Sequence, residues 1–382
     1  MGSACSRSPP RPARRTSTSP RGSIGYVPTN VSDGPFAVSP AAAHPLAELA
    51  DILCCPTCGA DLVLYPDHAS CAGCHRDFDS ADGIPLLFWP TDWAGAKRDV
   101  TDVVKAFYEE TPFPNYDEFD SAASLAQKAR RGMFAKMLDD QVPPGTMVLE
   151  CGCGTGQLTN FLSIANRTLL GTDICLNSLR LGERFRRENA LAGAHFLQMN
   201  LFRPVFKPAT FDLVIANGVL HHTADPLRAF KSIARLVKPG GYILIGLYHR
   251  WGRLITDARR LLFRLTGDRL AFLDPNLRRG GFAPAKRRAW LMDQYKHPHE
   301  SKHTIAEVMH WVDETGLRFV RSIPSTKAFQ FSSRAKLFQP EAPAPWLERT
   351  LVEWAQVFRG SREGGFFIVT ARRPAERGDR QA

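Results

Sequence analysis

A glycine-rich turn between an apolar strand and a helix constrains the fold of this chain more than any other feature. Residues 148–156 read V-L-E-C-G-C-G-T-G, so an acid ends the strand and glycines follow at alternate positions. Glycine tolerates positive φ, and the free N–H groups at the start of the next helix can bind an anion such as an amino-acid carboxylate. Dinucleotide-binding folds require G-x-G-x-x-G, which is absent here. The turn predicts a small-ligand site other than a nicotinamide site.

Short apolar strands alternate with helices from residue 146 onward. Strands are predicted at residues 147–149, 168–170, 195–197, 213–215 and 242–245, and two more at 317–323 and 365–371. This alternation is typical of a parallel α/β sheet, in which the carboxyl ends of the strands meet at one edge. At that edge Asp173 follows the second of these strands, where a carboxylate can accept hydrogen bonds from two ribose hydroxyls.

The motifs along this sheet resemble those of one enzyme family. Besides the glycine turn and Asp173 they include Asn200, the run F-D-L-V-I-A-N at 211–217, the turn K-P-G-G at 238–241 and V-L-H-H at 219–222 followed by D-P at 225–226. Residues 140–250, and less closely 304–323 and 365–373, resemble the class I S-adenosylmethionine-dependent methyltransferases, especially the small-molecule branch that includes quinone methylases. The resemblance implies a Rossmann-like sheet and S-adenosyl-L-methionine as cofactor.

The resemblance also implies a role for each strand-end residue. Glu150 and Gly152 would lie near the methionine amino group, and Gly154 and Gly156 would border the methionine carboxylate and the ribose. Asp173 would hold the ribose hydroxyls. These five residues form the ribose and methionine half of the predicted cofactor site.

The adenine half of the predicted site is carried by the following strands. By resemblance Ile174 lies beside the adenine, and Leu201 and Asn217 also contact the cofactor. Asn200 stands where the family usually has an aspartate at the adenine amino group. An amide oxygen can accept that hydrogen bond, but without the assistance of a charge.

His221 and His222 follow the fourth strand of this sheet, where the methyl acceptor is expected to enter. A neutral imidazole there can take the proton of a phenol or an acidic carbon, so His222 is a candidate general base. A second interpretation stays open, in which it is a buried histidine hydrogen-bonded to the backbone. Transfer from a sulfonium methyl requires chiefly alignment, and no catalytic metal.

Five of the nine cysteines lie close together before the sheet. Two C-x2-C pairs, Cys55 with Cys58 and Cys71 with Cys74, are separated by twelve residues, which is typical of a closed structural zinc site. The surrounding sequence resembles the zinc ribbon that precedes some bacterial methyltransferases. In part of that family the fourth ligand lies one position later, where His75 stands, and we favour Cys74 by symmetry. Cys54 is expected to take no part.

Composition divides the chain into further segments. We expect a disordered tail at 1–43, the zinc ribbon at 44–92, a helical linker or cap at 93–142, the methyltransferase domain at 143–373 and a tail at 374–382. The first tail is rich in Arg, Ser and Pro, and its processing as a transit peptide or lipidation near Gly2 and Cys5 stays open. Unpaired thiols in metal-like spacing indicate a reducing compartment, so we expect a cytoplasmic location.

The methyltransferase domain is expected to carry two insertions, at 251–303 and 324–363. The first begins with an amphipathic helix at 253–265, in which leucines and arginines occupy different faces, and contains the basic residues Arg278, Arg279, Lys286, Arg287 and Arg288. We expect the insertions to form the wall or lid of the acceptor pocket, since ligands of open α/β sheets bind at the strand ends. RNA binding through the basic stretch and contact of the helix with a membrane surface stay open.

These features favour a methyltransferase that acts on an oxygen or carbon of a small or lipid-like acceptor. An RNA methyltransferase is the alternative, supported by the ribbon and a net charge of +11. No Asn-Pro-Pro-Tyr motif follows the fourth strand, which disfavours methylation of the adenine amino group. A non-catalytic scaffold is a third interpretation. The longest apolar run, Tyr242 to Tyr248, is too short to span a bilayer.

Overall fold

The structure, a computed structural model, describes most of the chain after the first tail. The described residues are 46–93, 99–110, 112, 116, 121–278, 284–327, 336–359 and 365–375. They belong to one compact unit of residues 42–382. The predicted tail at 1–43 and its lipidation motif lie outside the described residues, as do Arg279 and the tail from residue 376 onward.

The cysteine segment folds as a small antiparallel meander. A short 3-10 helix, Ala47–Ile52, precedes four strands that pair in chain order. The strands are β1 (Leu62–Leu64), β2 (His68–Cys71), β3 (Asp77–Ala81) and β4 (Ile84–Pro85). We call residues 46–92 the ribbon.

A seven-stranded sheet forms the centre of the molecule, as predicted. Its strands are β5 (Met147–Cys151), β6 (Thr168–Asp173), β7 (Ala194–Gln198), β8 (Phe211–Asn217), β9 (Val237–Tyr248), β10 (Arg318–Ile323) and β11 (Phe366–Arg372). Their order is β10-β11-β9-β8-β5-β6-β7. The strands β5 to β9 are parallel, and β11 runs antiparallel between β9 and β10. The predicted Rossmann-like α/β architecture is confirmed.

Helices cover both faces of this sheet. Val148 and Leu149 are consecutive in β5 yet belong to different core clusters, which shows that both faces of the strand are buried. The helices are α1 (Thr101–Glu110), α2 (Ala122–Ala129), α3 (Met133–Gln141), α4 (Gln157–Ser163), α5 (Leu176–Glu188), α6 (Pro226–Ala234), α7 (Leu254–Thr266), α8 (Pro275–Arg278), α9 (Pro284–Leu291), α10 (Ile305–Glu314) and α11 (Trp346–Arg359). Among the described helices, none has both the length and the apolar character needed to cross a membrane.

The ribbon closes the open edge of the sheet at β7. Leu86 pairs in parallel with Gln198 of β7, and Leu53 pairs with Phe206. Phe78 and Leu87 of the ribbon share a core cluster with Leu197 of β7. An edge strand with unpaired backbone groups is an aggregation risk, so the ribbon protects this edge.

The helix predicted at 253–265 is present as α7, but its orientation corrects the sequence-based picture. Its leucine face points outward, with Leu265 75% exposed, whereas Phe263 on the opposite face is buried. Arg253, expected on the polar face, is fully buried and forms an ion pair with Glu300 at 2.7 Å. The α7 helix therefore leaves Leu254, Leu261 and Leu265 uncovered, whereas Leu262 is partly buried.

Candidate functional site at the strand ends

One cavity of about 590 Å³ lies at the carboxyl ends of the parallel strands. It brings together the cofactor residues predicted from four different strands and the predicted base. The predicted residues that line it are Glu150, Gly152, Gly154, Asp173, Ile174, Asn200, Leu201, Asn217 and His222. The volume is typical of a small-molecule site.

Gly156 is the one predicted cofactor residue that does not line this cavity. It caps α4 with a φ of 71°, in the left-handed region that favours glycine. A Cβ at Gly156 would collide with the ring of Phe196, which also lies against Gly171 and Gly182. The absence of a side chain at Gly156 therefore allows Phe196 to pack there, and the contact of Gly156 with the cofactor stays a prediction.

Glu150 is a buried acid at the end of β5. Its Oε2 accepts a hydrogen bond from the hydroxyl of Thr159 in α4. Burial raises the pKa of Glu150 to about 7, despite the opposing effect of that hydrogen bond. A carboxylate in this state favours a cationic ligand, because a nearby positive charge would keep it ionised.

Asp173 is held in place by the backbone around it. Gly154 N donates to Oδ2 at 2.8 Å, and Cys175 N donates to Oδ1 at 2.9 Å. Burial raises the pKa of Asp173, and the backbone hydrogen bonds oppose this effect. The acid thereby connects the glycine turn after β5 to the start of α5.

The two asparagines of the cavity differ in their hydrogen bonding. The Asn200 amide donates to the carbonyl of Trp89 at 2.7 Å and to the hydroxyl of Thr91 at 3.0 Å, while its Oδ1 accepts from Phe202 N. Its contact with adenine stays a prediction, and its amide nitrogen is already bonded to Trp89 and Thr91 at the end of the ribbon. Asn217 Oδ1 is buried and lacks a partner among the described residues.

His222 borders the cavity in a short 3-10 helix, Leu220–His222. Its Nδ1 lies 2.9 Å from the carbonyl oxygen of His299, so Nδ1 carries the proton and Nε2 keeps a lone pair. Burial lowers the pKa of His222 to about 4. The ring is therefore neutral near pH 7 and able to accept a proton. The backbone hydrogen bond considered in the sequence analysis is present and is compatible with the base role.

A polar cluster that the sequence analysis did not single out forms another wall of the cavity. Tyr108 donates to Asp293 Oδ1 at 3.1 Å, and Gln294 donates to Asp293 Oδ2 at 2.9 Å and to the Tyr248 hydroxyl at 2.8 Å. Asp293 is buried, which raises its pKa. Asp293 and Gln294 lie in a π-helical turn, Met292–Lys296, a geometry common at functional sites. No sequence motif marks these two residues, because the insertion also contains Asp257, Asp268, Asp274 and Glu300.

Two supports hold this cluster. Glu109 accepts hydrogen bonds from Leu176 N and Asn177 N at the N-terminus of α5, which fixes α1 and its Tyr108 over the site. Arg253 donates to Gln294 Oε1 at 2.8 Å and lies 3.7 Å from the Tyr248 ring centre. The polar wall is thus fixed from both α1 and the first insertion.

Most of the remaining wall is apolar and comes from α2, α3 and α4, although Lys128, Gln157 and Thr223 also line the cavity. Side chains from these helices that line it are Leu125, Ala129, Phe134, Ala135, Leu158 and Phe161. A cavity with apolar walls and one polar side suits a ligand with an apolar body and a polar reacting end.

The four predicted zinc ligands are brought together in the ribbon. Their Sγ atoms all lie within 4.8 Å of one another, with 3.8 Å between Cys55 and Cys74 and 3.4 Å between Cys58 and Cys71. Four thiolates about 2.3 Å from one tetrahedral zinc are roughly 3.8 Å apart, so the set fits this ion. The cluster includes Cys74 and excludes His75. Within the described residues, no other group gathers three potential metal ligands.

Comparisons with known proteins identify the central segment. Residues 149–245 match the family model described as a methyltransferase domain. This segment is a methyltransferase domain. It contains the strand-end residues from Glu150 to His222, and the resemblance to methyltransferases stated from the motifs is confirmed.

Relatives of the methyltransferase domain include enzymes named for quinone biosynthesis. The ubiquinone biosynthesis O-methyltransferase of Paracidovorax citrulli is 30% identical over 124 residues, 32% of this chain and 50% of that protein. The demethylmenaquinone methyltransferase of Lactococcus lactis is 31% identical over 134 residues, 34% of this chain and 52% of that protein. The chain thus spans about half the length of these relatives.

A solved structure of similar fold is the magnesium protoporphyrin IX methyltransferase of Synechocystis with bound S-adenosylhomocysteine. It is 15% identical, with a TM-score of 0.41, and the alignment covers 71% of this chain and 99% of that one.

Proposed function

We propose that the chain is an S-adenosylmethionine-dependent methyltransferase that methylates an oxygen or a carbon of a small or lipid-like acceptor. The observation that carries this proposal is one cavity that joins the predicted cofactor residues to a neutral buried histidine, His222. The quinone-methylating relatives support the class of acceptor. We also propose the domain boundaries given above and a cytoplasmic location, since free thiols in a metal cluster require reducing conditions.

The residues of the chain bind and orient the reactants. Bound S-adenosylmethionine would supply a methyl group on a positively charged sulfur that leaves as a neutral thioether, with the electron pair of the broken bond, when the acceptor attacks the methyl in line. Glu150 would pair with the methionine ammonium, and Asp173 would accept the ribose hydroxyls. The unpaired Oδ1 of Asn217 offers a further acceptor at the end of β8. The apolar walls exclude water and hold the acceptor body, so catalysis comes mostly from alignment.

His222 would remove the acceptor proton. Nδ1 donates to the His299 carbonyl, so Nε2 accepts the proton as the acceptor oxygen or carbon forms its bond to the methyl. The polar wall around Asp293 and Tyr108 is proposed to orient the polar end of the acceptor.

The ribbon would hold a structural zinc ion through Cys55, Cys58, Cys71 and Cys74. Four thiolates leave no coordination position for substrate, so the ion stabilises the ribbon and takes no part in methyl transfer. Since the ribbon packs against β7, its folding supports the adenine side of the cavity.

The test is methyl transfer from labelled S-adenosylmethionine to phenols and quinols of graded acidity. We expect His222→Gln to lower kcat about 100-fold or more for acceptors that are protonated at the assay pH, and much less for phenols already ionised. His310→Gln is the matched control, because that histidine is exposed and lies in α10. An equal loss of kcat for all acceptors would show that His222 is not the general base.

Failure of the folded, zinc-loaded wild type to bind S-adenosylmethionine would refute the proposed activity. Transfer of label to RNA, with binding that weakens steeply as salt rises, would instead favour the RNA alternative.

A further inference from the structure

We propose that α7, α11 and the short helix Ala271–Leu273 form a docking face for an anionic lipid bilayer. We call this surface the apolar face. Its members are large apolar side chains between 43% and 75% exposed: Leu254, Leu261, Leu265, Phe272, Leu273, Trp346, Leu347, Leu351 and Trp354. The docking does not depend on the methyl-transfer activity proposed above.

The exposed side chains follow helical spacing, so they form continuous stripes. Leu254, Leu261 and Leu265 recur at seven and four residues and occupy one side of α7, opposite the buried Phe263. In α11 the exposed Leu347 and Leu351 lie four residues apart on one side, while Val352 is buried. Both helices thus turn an apolar side outward and a different side toward the protein.

The two stripes adjoin, and exposed apolar residues are concentrated there. The ring of Trp251, just before α7, lies 6.0 Å from the ring of Trp354 in α11. Fourteen large apolar side chains are exposed among the described residues, and nine of them belong to the apolar face. Scattered exposed apolar residues are normal, whereas a contiguous patch marks an interaction surface.

Charge selects the kind of partner. Residues 251–291 contain ten Lys and Arg but only three Asp and no Glu. Two of those acids form ion pairs, Asp257 with Lys302 and Asp268 with Lys296, and the third, Asp274, is buried. Exposed arginines of this segment are Arg264, Arg269, Arg278, Arg287 and Arg288.

This combination fits a bilayer with anionic headgroups. Leucine and tryptophan side chains can enter the headgroup region while arginines pair with phosphates, as in amphipathic helices that lie in a membrane surface. A second copy of the chain would place the same basic surroundings against themselves, which like-charge repulsion disfavours. The bilayer is therefore the occupant that satisfies both the apolar and the charged parts.

The α7 part of the apolar face lies on the same insertion as two residues of the cavity wall. Asp293 and Gln294, from the turn after α9, line the cavity, and Arg253 at the start of α7 bonds to Gln294. If the acceptor is lipid-like, as proposed above, this arrangement places the bilayer that contains the acceptor next to the cavity.

The experiment is co-sedimentation of the full chain with phosphatidylcholine vesicles that contain or lack phosphatidylglycerol. We expect binding to the anionic vesicles and weaker binding to the neutral ones. The double variant Leu261→Gln and Leu265→Gln should lower the partition coefficient roughly tenfold or more. Val63→Gln with Ile164→Gln is the matched control, because both of these exposed residues lie outside the apolar face. The control should bind like the wild type.

Tryptophan fluorescence gives an independent readout. Binding should shift the emission to shorter wavelength, and Trp346→Phe with Trp354→Phe should remove most of that shift. The proposal is overturned if the wild type does not sediment with anionic vesicles, or if the leucine variants bind as well as the wild type. It is also overturned if those variants only convert a dimer to a monomer in sedimentation velocity, since the face would then join two copies.

Discussion

Replacing Asp173 with asparagine tests whether the acid at the end of β6 holds the ribose of the cofactor. Its two oxygens each accept one backbone hydrogen bond, from Gly154 N and from Cys175 N. A carboxylate oxygen can accept more than one hydrogen bond, so two ribose hydroxyls can still be bound. Asparagine has nearly the same shape but offers one accepting oxygen and no charge.

The expected loss follows from the number of bonds affected. A hydrogen bond to a charged group contributes about 1.5–3 kcal/mol. In the Asp173→Asn variant one ribose hydroxyl would lose the charge of its acceptor, and the other would lose its acceptor altogether. Together these losses should weaken cofactor binding by about 3 kcal/mol, which is roughly a 100-fold rise in Kd. Folding stability should also fall, because the amide nitrogen of asparagine would face one of the two backbone donors, Gly154 N or Cys175 N, and could not accept its hydrogen bond.

The assay is isothermal titration of zinc-loaded protein with S-adenosylmethionine and S-adenosylhomocysteine. Asp212→Asn is the matched control, since Asp212 also accepts a backbone hydrogen bond, from Met147 N, but lies at the opposite end of the sheet. Thermal unfolding of each variant shows whether it remains folded. If a folded Asp173→Asn variant binds within about threefold of the wild type, the assigned ribose contact is wrong.

Two further predictions concern the ribbon and the buried histidines. Removing the metal with a chelator, or by Cys71→Ser, should raise the Kd for S-adenosylhomocysteine, because Asn200 on the cavity wall is bonded to Trp89 at the end of the ribbon. An unchanged Kd would show that cofactor binding does not depend on the folded ribbon. The free energy of unfolding should fall as the pH drops from about 6.5 toward 4. Burial lowers the pKa of His222 to about 4 and that of His297 to about 3. In this pH range the unfolded chain therefore binds protons that the folded chain does not. Urea titrations should show His297→Gln reducing that slope by about 1.4 kcal/mol per pH unit, with no such change in His310→Gln.

The strand-end half of the site could be predicted from the sequence because its geometry follows from topology. Five parallel strands place their carboxyl ends at one edge, so Glu150, Asp173 and Asn217 meet although the chain separates them. The zinc cluster could be predicted equally well from the sequence, since four cysteines in two C-x2-C pairs have few other arrangements. The order of the parallel strands thus determines the first feature, and the spacing of the cysteines determines the second.

The residues that the sequence did not reveal depend on contacts between distant segments. Asn200 was assigned to adenine by its place after β7, and its amide is also bonded to Trp89, which lies 111 residues earlier in the chain. Asp293 reaches the cavity through a π-helical turn inside an insertion. The ring of Phe196, which packs against Gly156, comes from β7, about forty residues later in the chain. No local pattern encodes such pairings.

The orientation of the α7 helix also depends on a contact between distant segments. Its pattern correctly predicts two different faces, and an apolar face usually turns inward because burial is favourable. Here Arg253 next to α7 forms a buried bidentate pair with Glu300, whose pKa is lowered to about 2 by this contact, and Arg260 joins the same acid. Breaking a buried pair of this kind costs about 3–5 kcal/mol. An ion pair whose partner lies 47 residues away therefore fixes the orientation of the helix and leaves the leucines for an external surface.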